Sequence, residues 1–336
     1  MFQVKFWGVR GSVPTPLTPA QVQAKVAGAL AWVKEHGIDP RDPIPFELCS
    51  TFGGNTTCVE VNSGDELFIL DLGTGVRELG IAQMPEIMKT KRLHGTILQS
   101  HVHWDHIQGL PFWKPLYLPR RTFDCGFKFF GGKTWDSPLN EVYQGQMGPP
   151  VFPVNLEELA QSAMAMEFNS IWDGWEQEFR KLTMDLEIRT GLLTNVVARK
   201  LNHPQETFGY RLTQVNTLDD PRTSKVLTFT TDHEPYAAGL PKPLLELVNK
   251  ADVWITDCQY SHDEYIGKIG PQKQGWGHSY PEYIAAVAKE AQPKKIVTTH
   301  HEPETSDAQI IKLAQQVQEL SGIETVPAYE GLRLEL

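Results

Sequence analysis

Over 336 residues the chain carries only four cysteines, Cys49, Cys58, Cys125 and Cys258, and none of them makes a C-x-x-C pair. A thiol metal knuckle or a disulfide framework is therefore excluded as the organising element, and reduced thiols are expected. No run is apolar enough to span a bilayer. The opening MFQVKFWGVRGS lacks the apolar stretch and small-residue cleavage site of an export signal, so a cytoplasmic location is expected. Positive charge is also short: Lys+Arg total 31 against 41 for Asp+Glu, a formal net charge of −10. That balance argues against broad binding to long nucleic acid or an anionic membrane. No internal repeat or low-complexity tract stands out.

What remains is an ordinary globular composition, 40% hydrophobic and 21% charged, on a chain long enough to bury a large core. QVKFWG, TTCVEV, ELFILDLG, LHGTILQS, NVVARKL, FGYRL, KVLTFTTD, VWITDC and KKIVTTH read as strands. Thr18–Pro19 reads as a helix start, with the helix running to Gly37. Further helices are expected at Lys242–Asn249, Pro281–Ala291 and Thr305–Leu320. Strands alternate with helices in both halves, so the fold class is α/β in a single domain, 1–336. Residues near 17–50 are expected to form a helical N-terminal addition. Residues near 111–190 read as another on one face, basic at first and acidic from Asp136 to Glu187.

The chain has 11 histidines, yet SHVHWDHIQGLPF at 100–112 places three of them and an aspartate within six residues. In an extended segment residues two apart share a side. His101 and His103 can thus face one metal ion, and Asp105 and His106, past a turn, a second point nearby. Trp104 and Ile107 are left to face the apolar core. Imidazole and carboxylate are donors that Zn²⁺ accepts. Three more candidates end strand-like runs: His203, Asp232 and His300. A lone histidine after a strand is commonly just a hydrogen-bonded polar residue, and a surface loop of chance histidines is the plain alternative. Together the seven suffice for two metals with a bridging carboxylate and open positions.

H-x-H-x-D-H at His101–His106 resembles the signature of the metallo-β-lactamase superfamily. The resemblance implies a four-layer αββα sandwich with a dinuclear site on one edge and Asp232 as the bridging carboxylate. LDLGTG at 70–75 resembles the family's supporting Asp-x-Gly strand end. FWGVRGSVPTP, FGGNTTCVEV and the histidine motif together are similar to the phosphodiesterase branch, which holds cyclic-nucleotide phosphodiesterases and transfer-RNA 3′-endonucleases. WGHSYPE, with Asp257 upstream, resembles that branch's catalytic histidine and its partner, here His278 and Asp257. The family has one terminal ligand histidine where this chain has two, and His300 is preferred over His301.

These observations lead to an expected activity. The chain is read as a metal-dependent phosphodiesterase with two divalent ions, Zn first and Mn or Fe as alternatives. It would open a cyclic nucleotide to the linear monophosphate. Asp105 would orient or deprotonate the nucleophile. His278, held by Asp257, would protonate the leaving alkoxide. Transfer-RNA 3′ processing and hydrolysis of a cyclic ribose phosphate are the alternatives, and a metal-stabilised nucleotide-binding module is the non-enzyme one. A small cyclic phosphodiester is the expected partner, with no membrane and a homodimer. Arg10, Ser12 and His233 are candidate phosphate contacts; for Arg10 and Ser12 a plain structural turn is the competing reading, and for His233 a structural hydrogen bond. Phe112, Trp113, Tyr117, Phe129 and Phe130 could stack on a base or simply pack.

Overall fold

A computed structural model describes residues 2–39, 41–134, 137–179, 192–216, 224–237 and 239–336. Its strands are β1 (Phe2–Gly8), β2 (Cys58–Ser63), β3 (Glu66–Leu70), β4 (Arg92–Leu98), β5 (Asp124–Gly131), β6 (Ala165–Ser170), β7 (Glu176–Phe179), β8 (Leu192–Leu201), β9 (Thr207–Asn216), β10 (Lys225–Thr230), β11 (Val253–Asp257), β12 (Ile296–Thr299), β13 (Thr325–Pro327) and β14 (Arg333–Glu335). Its helices are α1 (Pro19–His36), α2 (Phe46–Cys49), α3 (Gly75–Thr90), α4 (Trp104–Ile107), α5 (Leu139–Gln146), α6 (Leu156–Ser162), α7 (Lys242–Val248), α8 (His262–Tyr265), α9 (Pro281–Ala291) and α10 (Asp307–Ser321).

Two seven-stranded sheets form, in the orders β14-β1-β2-β3-β4-β5-β6 and β13-β12-β11-β10-β9-β8-β7. Each sheet is antiparallel on one side and parallel on the other. The first is parallel from β3 to β6, the second from β10 to β13. One core lies between the sheets, where Phe6, Val59, Phe68 and Leu98 meet Tyr210, Leu227, Phe229 and Val297. A second packs α3, α5 and α6 on the outer face of the first sheet, and a third packs α7, α9 and α10 on the second. The result is the expected αββα sandwich. The parallel strands end at a common edge, so the residues just after β3, β4, β10, β11 and β12 converge there, where open α/β sheets present their ligand sites.

The expected boundaries hold at α1. Thr18 caps it in a box with Gln21, and Gly37 closes it in the left-handed conformation at φ 63°. No residue of α1 is buried. Helix α3 carries no such clear signal, because Gly80 and Pro85 interrupt its pattern. Gly80 is where α3 meets the turn at 113–115: a Cβ there would stand 2.6 Å from Trp113. The reading of 111–190 as an addition on one face is corrected. β5 and β6 extend the first sheet in parallel, and β7 is an edge strand of the second. The prolines around β5 and the long connection through α5 and α6 to β6 hid that pattern. Asp136 and residues 180–191, which include Asp185 and Glu187, lie outside the described residues.

Candidate metal centre

Left-handed turns at non-glycine residues mark the site. Asp71, Asp232 and His300 follow β3, β10 and β12 with φ of 61°, 53° and 56°. Such values are uncommon away from glycine and turn each strand sharply at its end. After β4 the chain runs through Gln99 and Ser100 into His101, and His103 is the residue from which α4 starts.

The donor atoms gather closely. His101 Nε2 lies 3.0 Å from His103 Nδ1, and His203 Nε2 lies 3.1 Å from the same atom. Asp232 Oδ2 is 3.6 Å from His101 Nε2. Nearby, His106 Nε2 is 3.1 Å from His300 Nε2 and 3.3 Å from Asp105 Oδ2, with His300 Nε2 3.1 Å from that oxygen. Asp232 Oδ1 completes this second group at 3.4 Å from His106 and 3.3 Å from His300.

Hydrogen bonding behind the rings settles which nitrogens are bare. His106 Nδ1 donates to Asp71 Oδ2 at 2.8 Å, His300 Nδ1 to Gln259 Oε1 at 2.7 Å, and His203 Nδ1 to the Gly277 carbonyl at 3.0 Å. Ser100 Oγ gives its proton to Asp71 Oδ2 and so accepts from His101 Nδ1 at 3.0 Å. With the proton on Nδ1 in all four, each Nε2 aims a lone pair at its neighbours' lone pairs. Acceptors pointed at acceptors at these distances leave room for a cation. A tetrahedral shell with ~2.1 Å bonds has donor–donor edges of about 3.4 Å. The donor set therefore fits a divalent metal ion.

The electrostatics agree. Burial pushes His106 down, yet Asp105, Asp232 and Asp71 carry it well above the ordinary histidine value. Burial likewise pushes Asp232 up, and His300, His106 and His101 overcome it to hold the carboxyl well below its ordinary value. The carboxylates thus demand positive charge, which a proton or a metal ion can supply. On the other side burial lowers His101, His103 and His203, the last to about 4, which favours the neutral, ligating imidazole.

Supporting residues surround this set. Asp71, fully buried, also accepts from the Ser100 amide at 2.7 Å and from Gln99 Nε2 at 2.8 Å. Gln99 Nε2 further donates to the carbonyls of His101 and His106. Tyr143 and Tyr210 donate to Gln99 in turn. Gln99 and Gln259 escape a sequence reading, because a lone glutamine at a strand end has no pattern. Gly11 and Gly277 have one in retrospect, since each lies in a motif beside a candidate residue. A Cβ on Gly11 would stand 2.3 Å from His300 Nδ1.

His278 reaches the same place. Its Nδ1 lies 3.4 Å from Asp257 Oδ2 and 3.9 Å from Asp232 Oδ2, buried and without a hydrogen-bond partner. Its ring stacks on His300 with centroids 5.0 Å apart. Asp257 is fully buried and accepts from the Ser279 amide at 2.9 Å.

The remaining candidates divide: the phosphate roles of Arg10 and His233 and the core position of Trp104 are corrected, and the preference for His300 over His301 holds. Arg10 is no phosphate contact: its buried guanidinium donates to the carbonyls of Gly53, Glu302 and Thr305. His233 has no exposed surface and lies behind Asp257, with Nε2 3.0 Å from Thr256 Oγ1. Ser12 has an exposed side chain, and its amide donates to Asp105 Oδ2 at 2.7 Å. His301 turns away and meets the Ala328 carbonyl at 2.8 Å, whereas His300 joins the cluster. Trp104 does not face the core: it is 72% exposed, while Ile107 is buried. A one-turn helix is too short to bury two faces. Trp113, Phe129 and Phe130 are core residues, and Phe112 and Tyr117 are exposed.

Comparison with known proteins places these features. The family model described as beta-lactamase superfamily domain matches residues 69–301. Ribonuclease Z of Methanosarcina mazei is 24% identical over 274 residues, 73% of this chain and 81% of that protein. Among solved structures, the metallo-β-lactamase fold protein YhfI from Bacillus subtilis superposes with a TM-score of 0.60 at 14% identity, covering 100% of this chain and 99% of that one. A diphosphatase from the PhnP family gives 0.58 at 16%, covering 100% and 98%.

Proposed function

The chain belongs to the metallo-β-lactamase superfamily and is a metal-dependent hydrolase, and from that premise we propose that it is a dinuclear phosphodiesterase that opens a small cyclic nucleotide to the linear monophosphate. The observation that carries the reading is the division of Asp232, with Oδ1 near His106 and His300 and Oδ2 near His101. One cation would take His101, His103, His203 and Asp232 Oδ2. The other would take Asp105, His106, His300 and Asp232 Oδ1. Zn suits this nitrogen and oxygen set, and Mn or Fe accept it. Bound there, such a pair supplies an acidified water and positive charge for phosphoryl oxygens.

The chain's own residues would do the rest. The Ser12 amide donates to Asp105 Oδ2, the oxygen that also faces His300, leaving the other oxygen to orient the attacking water. Asp257 would hold His278 through Nδ1, so that Nε2 delivers the proton to the departing ribose oxygen. An acidic chain favours a small substrate over a long RNA, whose binding rests on phosphate neutralisation. The similarity to a ribonuclease Z favours transfer-RNA 3′ processing as the second reading. Turnover of cyclic nucleotides, a cyclic ribose phosphate and precursor transfer RNA by metal-loaded protein, at matched concentrations, tests the choice. The cyclic nucleotides should be hydrolysed fastest. Faster trimming of the RNA would establish the second reading instead. Nucleotide binding with no hydrolysis of any substrate would leave a metal-stabilised binding module.

A further inference from the structure

Two exposed tryptophans adjoin residues of the cluster along the chain. Trp104 sits between His103 and Asp105 and is 72% exposed; Trp276 is 51% exposed. The residue after Trp276, Gly277, packs directly on His203, whose Nε2 is 3.1 Å from His103 Nδ1. Consecutive Cα atoms are about 3.8 Å apart, so Trp104 is rooted one residue from His103 and Trp276 one residue from the glycine that packs on His203. The position of Trp276 is fixed further. The Lys273 ammonium lies 4.1 Å from the Trp276 ring and 5.3 Å from the Tyr260 ring. The Tyr260 ring in turn lies 5.8 Å from His278. Lys273 has no carboxylate partner among the described residues, so its charge is held by two aromatic faces.

An exposed indole beside a polar site offers a flat face on which a base can stack. A cation over the face of an indole is attracted to the ring and helps to hold its orientation. We propose that Trp104 and Trp276 form a nucleobase-stacking rim. The base of a nucleotide whose phosphate lies at the histidine–aspartate cluster packs on these indoles, with Lys273 bracing Trp276. The inference rests on the phosphodiesterase reading above and adds the part of the substrate that the cluster itself cannot recognise. Stacking uses the face that every base has, so the rim selects nucleotides over simple phosphodiesters while tolerating different bases.

The test compares two substrates with the same leaving group, thymidine 5′-(4-nitrophenyl) phosphate and methyl 4-nitrophenyl phosphate. The parent protein should prefer the nucleotide. In Trp104→Ala and Trp276→Ala the ratio of kcat/KM between the two should fall about tenfold, mainly through KM of the nucleotide. Trp104→Phe should recover most of the ratio. An unchanged ratio in both alanine variants overturns the rim. A second readout does not need turnover: thymidine monophosphate should quench the parent's tryptophan fluorescence, and less so in the variants. If neither substrate is hydrolysed by the parent, the phosphodiesterase reading fails. The rim then stands or falls on the quenching, and its absence overturns it.

Discussion

Gly277 and His203 are in such close contact that a Cβ on the glycine would stand 1.9 Å from His203 Nδ1. The same backbone is left-handed at φ 87°, and its carbonyl accepts the proton of that nitrogen. One residue thus sets both the place and the tautomer of the imidazole. Gly277→Ala should displace His203. Metal content and kcat should fall together, by about 10–100-fold in affinity or rate. Parent-like metal retention in a titration with a chromophoric chelator would show that the contact does not position the ligand.

Asp232→Ala removes the carboxylate that faces both donor groups. Elemental analysis should find about two metals per parent chain and fewer than about one in the variant, with hydrolysis lost in step. A variant that keeps both ions would refute the bridging assignment.

His278→Ala should leave metal content at the parent level and lower kcat by ~10²–10⁴-fold on an alkoxide leaving group, with a smaller loss on a nitrophenolate, which departs without a proton. Asp257→Asn should give a milder version, because it orients the ring. Equal losses on both leaving groups would assign His278 to positioning.

Chelation should lower the melting temperature, since it leaves several buried carboxylates and imidazoles facing one another. Excess Zn or Mn should restore it. At free metal a thousandfold above Kd the linkage amounts to about 4 kcal/mol per site. A melting curve indifferent to chelator would argue against a resident metal.

The residues of the cluster are legible in the sequence for a simple geometric reason. Parallel strands end at one edge, so a histidine or aspartate just past β4, β10 or β12 is delivered to the same point, and four of the candidates lie within six residues. The rest is hidden because it depends on partners far away in the chain. Nothing near Gln259 announces that it will accept from His300, 41 positions on. Arg10 next to glycine looks like an anion contact until the carbonyls of Glu302 and Thr305 arrive from the other end of the chain. Trp104 alternates correctly for burial, but α4 is only four residues long. β5 to β7 hide behind prolines and a mixed charge pattern, and α3 behind Gly80 and Pro85.

In polymer terms the cluster is a cross-link. His103 meets His203 at a separation of 100 positions, and His106 meets His300 at 194. Four cysteines are free, and no disulfide ties the described residues. The two proposed cations, joined through Asp232, would close one of these long loops each. Closure entropy grows only slowly with length, about 0.6 kcal/mol per doubling, so the longer tie constrains the unfolded chain little more than the shorter. Both ties sit at one end of the sandwich and join one sheet to the other. The opposite end is held by apolar packing, strand pairing and a small buried hydrogen-bond group in which Ser63 of one sheet meets Thr194 and Gln214 of the other. Opening should therefore start there and stop at the cluster, so that the supply of metal decides how far the two sheets can come apart.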